Sequence, residues 1–402
     1  RFLSLLIFLI SFLLITYSKK FFKALYYAAL QLNNHHIKSL LYTVGFKKRM
    51  SSYMDIELDQ IELEFNQLKN EFNPENSSFN QNDFKQFING FYQAEGTISI
   101  YFKEKQYLRV GFYFAIGQNY TPEVAKMFIL LQHFLGGIGK FKFEELSNGN
   151  KHIRFVVTNR EDIIYKVKPY FSLLYGQKRL AFNKLVRIYE ITKNPLLYND
   201  SNLVSELIQL VYSINLEGKK IKLPLSDKLA TFNFVKSEKN FIQAPSPTPY
   251  GRDGMAVDLN QYTSYAPLRE EGEENFQYPS ILFIIGLFLG DGSLYFSFDA
   301  NKTILPKFNI KIVCEIVGLK DTEYNKHLIN LVSKSLGLKN NIYVNNSTKM
   351  LILKYSGKTV FNDILPILEE NKQWLFWKES QLYLALTAKQ IFPVSYIIAN
   401  SC

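Results

Sequence analysis

FINGFYQAEG, Phe87–Gly96, recurs in altered form as FIIGLFLGDG, Phe283–Gly292. Both are apolar, helix-like stretches that end in one carboxylate followed by glycine. Aligning the copies pairs Gly90 with Gly286, Ala94 with Gly290, Glu95 with Asp291 and Gly96 with Gly292. In each copy the two small residues stand four apart, so a helix carries them as a stripe on one face. Such stripes let two helix backbones approach closely. Packing through Gly90 and Gly286 would pin two repeated units together. The helix ends would then lie side by side, with Glu95 and Asp291 near one pseudo-two-fold axis.

A carboxylate at a helix C-terminus opposes the macrodipole. That unfavourable choice, made at matching places in two repeats, points to use rather than to ordinary helix-terminal acids. Two carboxylates held close repel each other, and a divalent cation between them removes that cost. Magnesium prefers such oxygen ligands and keeps waters. Hard cations beside a phosphate can activate water and stabilise the leaving oxygen. Glu95 and Asp291 are therefore the expected catalytic and metal-binding pair, with Mg2+ as the expected cofactor.

Outward from each motif the order of elements repeats. GTISIYFKEKQ and YLRVGFYFAIGQ alternate with period two, the mark of half-buried strands. A helix follows, with Thr121 as N-cap, Pro122 at its first position and glycines at its end. Next come a hairpin around SNGN, a helix capped by Asn159 and a basic helix, GQKRLAFNKLVRIYEI. The second half runs GSLYFSF, KFNIKIV, DTEYNKHLINLVSKSLG, a hairpin around NNSTK and two closing helices. The expected fold is α+β: two tandem αββαββα units related by pseudo-two-fold symmetry. Expected boundaries are an apolar segment 1–18, a linker with one helix 19–83, repeat 1 at 84–213, a connector 214–279, repeat 2 at 280–396 and a tail 397–402. Ile56, Ile61, Leu63 and Leu68 give the linker helix its apolar spacing.

The net charge is +11 and the pI about 9.2, so the surface favours polyanions. In the outward phase of the first repeat's strands stand Lys103, Arg109, Lys140, Lys142, His152 and Arg154, interleaved with Tyr101 and Tyr113. In the second stand Tyr295, Ser297, Asn309, Lys311, Tyr343 and Asn345. Lys and Arg neutralise phosphates, while Asn and Arg read base edges. The set suits a DNA groove, although any one of its members is an ordinary exposed strand residue. Two cysteines, Cys314 and Cys402, with no CxxC, exclude a disulfide framework and a cysteine zinc site. His35 and His36 are neighbours and read as surface residues. Phe2 to Tyr17 is nearly all apolar, sixteen residues before Lys19 and Lys20. It is either a targeting or membrane segment or the end of an upstream in-frame exon. It does not make the body a membrane protein, because no later apolar run reaches eighteen residues without charge. Heavy use of Phe, Tyr, Lys, Asn and Ile fits an AT-rich, organellar genome.

INGFYQAEG (Ile88–Gly96) and IIGLFLGDG (Ile284–Gly292) resemble the paired motif of single-chain LAGLIDADG homing endonucleases, and the resemblance runs from Phe84 to Phe392. It implies a monomeric pseudo-dimer whose saddle-shaped antiparallel sheets straddle a long double-stranded DNA site. It also implies metal-dependent cleavage of both strands, leaving short 3′ overhangs. The catalytic acids would be Glu95 and Asp291, with the carbonyls of Ala94 and Gly290 also near metal. Gln118 resembles a polar residue that orders active-site water, and for its partner in the second repeat VCEIVG offers Glu315. Lys178 and Lys378 are the candidate basic residues. Gln93 and Leu289 stand two residues before the catalytic acids, where the family tolerates non-acidic residues. Family members are often encoded in group I introns of organellar genes, so a mitochondrial origin is expected. The alternative function is an RNA maturase docked on group I intron RNA.

Overall fold

The computed structural model describes residues 46–103, 109–147, 149–215, 278–300, 308–339 and 341–391. The apolar segment 1–18, nearly all of the connector 214–279, the tail 397–402, Cys402, His35 and His36 lie outside the described residues.

The chain opens with α1 (Phe46–Glu71). Repeat 1 then runs α2 (Gln81–Glu95), β1 (Gly96–Phe102), β2 (Val110–Asn119), α3 (Pro122–Phe134), β3 (Lys140–Glu145), β4 (Lys151–Val157), a helical stretch over 160–170, α4 (Gly176–Lys193) and α5 (Ser201–Asn215). Repeat 2 runs α6 (Ile281–Asp291), β5 (Gly292–Ala300), β6 (Phe308–Lys320), α7 (Glu323–Ser335), β7 (Ile342–Asn345), β8 (Met350–Ser356), α8 (Leu365–Glu370) and α9 (Glu379–Ile391). The expected order holds in both halves. α5 is an addition to it; Glu206 on this helix forms a two-pronged ion pair with Arg187 of α4 at 2.7 and 2.9 Å.

Each repeat forms one four-stranded sheet, ordered β1-β2-β4-β3 and β5-β6-β8-β7. The registers match: Gly96 pairs with Ile116, and Gly292 with Ile316. One phase of each sheet is buried. In the first it is Ile100, Phe112, Phe114, Ile116, Ile153 and Phe155; in the second Leu294, Ile312, Cys314, Ile316, Leu353 and Tyr355. Helix caps are also shared. Thr121 and Thr322 accept from the N–H of Val124 and of Asn325, each at 3.3 Å, as Asn159 does from Glu161 and Asp162. After the last strand of each repeat a π turn forms, Ile163–Val167 and Val360–Ile364. Each closely precedes a proline, Pro169 or Pro366, which has no N–H for the helix ladder.

The chain divides into two compact units. Residues 1–67 and 143–151 form one, and 68–142 with 152–402 form the other, which holds both motifs. Within the smaller unit Phe65 meets Phe143 edge-on at 5.3 Å. The apolar face of α1 is Ile61, Phe65 and Leu68, at helical spacing. Leu63, expected on that face, is 58% exposed, because two residues from Ile61 is the wrong side of a helix. Among the described residues no helix is long and apolar enough to cross a membrane.

Candidate active site

The site is built on α2 and α6, which cross in backbone contact. A Cβ on Gly90 would lie 1.8 Å from the Phe283 carbonyl oxygen, and one on Gly286 would lie 2.0 Å from that of Phe87. Phe87, Ile88, Phe91, Phe283 and Leu287 seal the contact and are buried. At the tip the stripe continues, since a Cβ on Gly290 would stand 2.4 Å from Ala94 Cβ and 3.1 Å from Glu95 Cγ. Glu95 therefore lies against the last turn of the other helix, as the small-residue stripes require. The motif's closing glycines fit under rings: a Cβ on Gly96 or Gly292 would meet Tyr92 or Phe288 at 2.2 Å.

Both acids sit in a low-dielectric pocket with two lysines. Burial pushes the Asp291 carboxyl up to about 7, and the charge of Glu95 adds to the rise, against Lys178 and Lys378. Burial also raises Glu95, opposed by Lys178, by the hydrogen bond from Gln118 and by Lys378. Burial lowers Lys178 and Lys378 to about 8 each, against the pull of Asp291 and Glu95. Lys178 Nζ donates to the carbonyls of Tyr92 at 2.7 Å, Ala94 at 3.2 Å and Gly96 at 2.9 Å. Lys378 Nζ donates to those of Phe288, at 2.8 Å, and Gly292. Each ammonium thus caps the carbonyl end of one motif helix, the pole where positive charge is favourable. This capping offsets the presence of an acid at the same pole.

Two positive-φ residues place the lysines. Gly176 (φ +53°) and Phe376 (φ +44°) each stand two residues before one of them. In repeat 1, polar residues of the motif helix pin the approach. Asn89 Nδ2 donates to the Tyr170 carbonyl at 3.0 Å, and the N–H of Leu173 donates to Asn89 Oδ1 at 3.0 Å. The N–H of Tyr175 donates to Gln93 Oε1 at 3.1 Å. Sequence reasoning misses these anchors. Their one signal is a pair of amides four apart inside an otherwise apolar motif, where repeat 2 has Ile285 and Leu289.

Gln118 reaches the site: its Nε2 donates to Glu95 Oε1 at 3.3 Å. Glu315 does not take that part in repeat 2. It pairs with Ser293 one step further back on the strand and accepts from Tyr295 Oη at 3.0 Å on the outer face. The Ala94 carbonyl, expected near metal, accepts from Lys178, whereas the Gly290 carbonyl lies in the last turn of α6, where carbonyls lack intrahelical partners.

The outer face of the first sheet carries the expected cations. Lys103, Arg109, Lys140 and Lys142 are exposed, and Tyr113 and Arg154 are half-buried. The Arg154 stem lies over Gly117, where an added Cβ would meet its Cγ at 2.9 Å. On the second sheet Asn309 and Lys311 stand on β6 opposite Asp299 and Ser297; their side chains lie outside the described residues. Lys354, 3.8 Å from Glu315, balances its charge, so this part of the second face is less basic. Asn345 Oδ1 accepts from the N–H groups of Ser347 and Thr348, so it caps the hairpin turn.

The donor set fits a hard divalent cation: two half-buried carboxylates whose mutual repulsion a cation would relieve. Among the described residues no cluster of three or more His, Cys, Asp or Glu could hold one. Any ion here would therefore complete its shell with carbonyls, water or substrate oxygens.

The buried charges make stability depend on pH. Asp291 titrates higher folded than unfolded, so the stability it contributes is present below about pH 4 and lost as pH rises through about 7. The lysines titrate lower folded, so their contribution is present above about pH 10 and lost as pH falls through about 8. At pH 8 in chelator, Asp291→Asn removes a half-buried charge and is expected to raise the melting temperature by about 3 °C or more. Magnesium stabilises the parent chain more than this variant. Calorimetry showing an equal or lower melting temperature for the variant contradicts the assignment.

Residues 88–189 match the family model described as LAGLIDADG endonuclease. No curated protein matches. Among similar solved structures is the I-SmaMI LAGLIDADG homing endonuclease bound to cleaved DNA. It is 18% identical with a TM-score of 0.53, over 81% of this chain and 96% of that one. I-SmaMI on uncleaved DNA target in the presence of calcium ions gives 17% identity and 0.52, over 78% and 96%. The I-LtrWI LAGLIDADG homing endonuclease bound to target DNA gives 18% and 0.52, over 80% and 97%. At such identities the likeness is one of fold, and it extends through both repeats.

Proposed function

We propose that this chain, whose first repeat belongs to the LAGLIDADG endonuclease family, is a site-specific DNA endonuclease that makes a magnesium-dependent double-strand break in one long target. The observation that carries this reading is the convergence of Glu95, Asp291, Lys178 and Lys378 at the end of a glycine-tight helix pair. One chain supplies both halves, so a monomer suffices. Double-stranded DNA lies along the outer faces of the two sheets. Lys140, Lys142 and Arg154 neutralise phosphates there, and the scissile groups come to the helix ends.

Glu95 and Asp291 would hold magnesium, which would supply positive charge for attack on the phosphodiester. The protein's own part is to hold both carboxylates side by side next to two fixed lysines, whose charge opposes the rise that burial gives the acids. The ammonium groups of Lys178 and Lys378 are tethered by backbone carbonyls, so they lie ready beside the developing charge at no further reorganisation cost. Water is kept from the helix interface by Phe91, Leu287 and their neighbours.

The AT-rich style of the composition supports an organellar origin, and with the family it supports a mitochondrial, intron-encoded endonuclease. The maturase alternative has no observation of its own in its favour. Docking on RNA gives no reason to bury two repelling acids.

The test is incubation of the purified chain with a plasmid library of mitochondrial DNA lacking this reading frame. Cleavage of both strands at one site, with magnesium and not with chelator, is expected. No cleavage, or cleavage without preference, refutes the proposal.

A further inference from the structure

The two halves of the site are not equivalent. From Ile116, the partner of Gly96, repeat 1 reads Gly117 and Gln118 and reaches its helix cap, Thr121, five residues on. From Ile316, the partner of Gly292, repeat 2 reads Val317 and Gly318 and reaches its cap, Thr322, six residues on. The additional residue is a bulge, and the pairing with β8 shifts between Val317 and Leu319. Gly318 is that additional residue and has no counterpart; Leu319, which pairs with Leu351 as Gln118 pairs with Ile153, takes the register of Gln118 and brings no polar group. Gln118 is fixed at both ends: its amide donates to Glu95 at 3.3 Å, and its oxygen accepts from the N–H of Asn119 at 2.8 Å. Gly318 has φ +122°, which only glycine adopts freely, and a Cβ there would stand 2.5 Å from Asp291 Oδ1. Both facts exclude a side chain. The backbone itself borders Asp291, and this flank is exposed.

Resting on the endonuclease reading, we infer that the Gly318 bulge makes the protein a sequential cutter, hydrolysing first the strand served by the Glu95–Gln118 half and passing through a nicked duplex. Each cut adds one water across a phosphodiester. The water oxygen bonds to phosphorus and gives up a proton to solvent; the bond from phosphorus to a sugar oxygen breaks, and that oxygen takes a proton. Gln118 is a positioning residue in this step. It holds Glu95 in one orientation before DNA arrives, and preorganised geometry is where rate is gained. No side chain among the described residues does the same for Asp291, so the second cut waits on an acid oriented by fewer contacts.

The test uses the supercoiled plasmid bearing the site that the unaltered chain cuts, with magnesium, and a linear duplex labelled differently on each strand. Open circles are expected to accumulate before linear product, with one strand cut about tenfold faster. Gln118→Ala slows that faster cut about tenfold and leaves the other within about twofold, so the ratio approaches one. The same molecules make both cuts, so loss of folded protein scales both rates and cannot change the ratio. Equal strand rates in the unaltered chain overturn the inference, as does a Gln118→Ala chain that slows both cuts alike. Absence of any cleavage instead defeats the endonuclease reading itself.

Discussion

Glu95→Gln and Asp291→Asn each lower the rate of double-strand cleavage by about a thousandfold or more. Both changes keep the shape of the side chain and remove its charge. Each acid is one of the two carboxylates that the described residues bring to the site, so its loss halves the anionic set proposed to hold magnesium. It also leaves Lys178 and Lys378 with one counter-charge between them. At most, single-strand nicks remain. The folded state does not suffer, because the charge removed is one that partial burial already disfavours. The signature is therefore lost linearisation of plasmid, with a raised melting temperature for Asp291→Asn and one no lower than the parent's for Glu95→Gln. A variant that still linearises the plasmid at a tenth of the original rate removes that acid from the chemistry.

Gly286→Ala has the opposite signature, in which stability and activity fall together. Its Cβ would sit 2.0 Å from the Phe87 carbonyl oxygen, and that of Gly90→Ala would sit 1.8 Å from the Phe283 oxygen. The obstacle is backbone, so no rotamer change relieves it. The helices must part by roughly 1 Å, in a contact already packed to interior density. The cost is about 3–5 kcal/mol, read as a lower urea midpoint. A displacement of this size at the acids costs a further factor of about a hundred in rate. An alanine variant with an unchanged urea midpoint shows that the helices do not touch at these positions.

Much of this is legible in the sequence, and the reasons are specific. The stripe Gly90/Ala94 against Gly286/Gly290 determines which helices pack and which ends meet, because only missing side chains permit backbone contact. Period-two alternation locates β1 and β2, whose inward residues Ile100, Phe112, Phe114 and Ile116 are buried, and the turns SNGN and NNSTK locate the hairpins. Lys178 and Lys378 are identifiable as residues, but their dual duty is hidden. Capping the carbonyls of a helix more than eighty residues away leaves no local pattern. Asn89 and Gln93 are hidden for the same reason, as their partners lie in 170–175. The bulge at Gly318 escapes because a one-residue insertion shows only in the pairing register. That is why Glu315, in the wrong phase, stands in for it. Leu63 misleads because apolar character alone does not place a residue on a helix face, whereas Phe65 at the proper spacing is buried.

The central claim is that Glu95 and Asp291 jointly hold divalent metal at the meeting point of α2 and α6. Anomalous diffraction from crystals of the chain grown with manganese and its DNA target tests it most directly. A manganese peak within about 2.5 Å of carboxylate oxygens of both residues is the expected result. Peaks elsewhere with both carboxylates unliganded, or the two side chains turned apart, would contradict it.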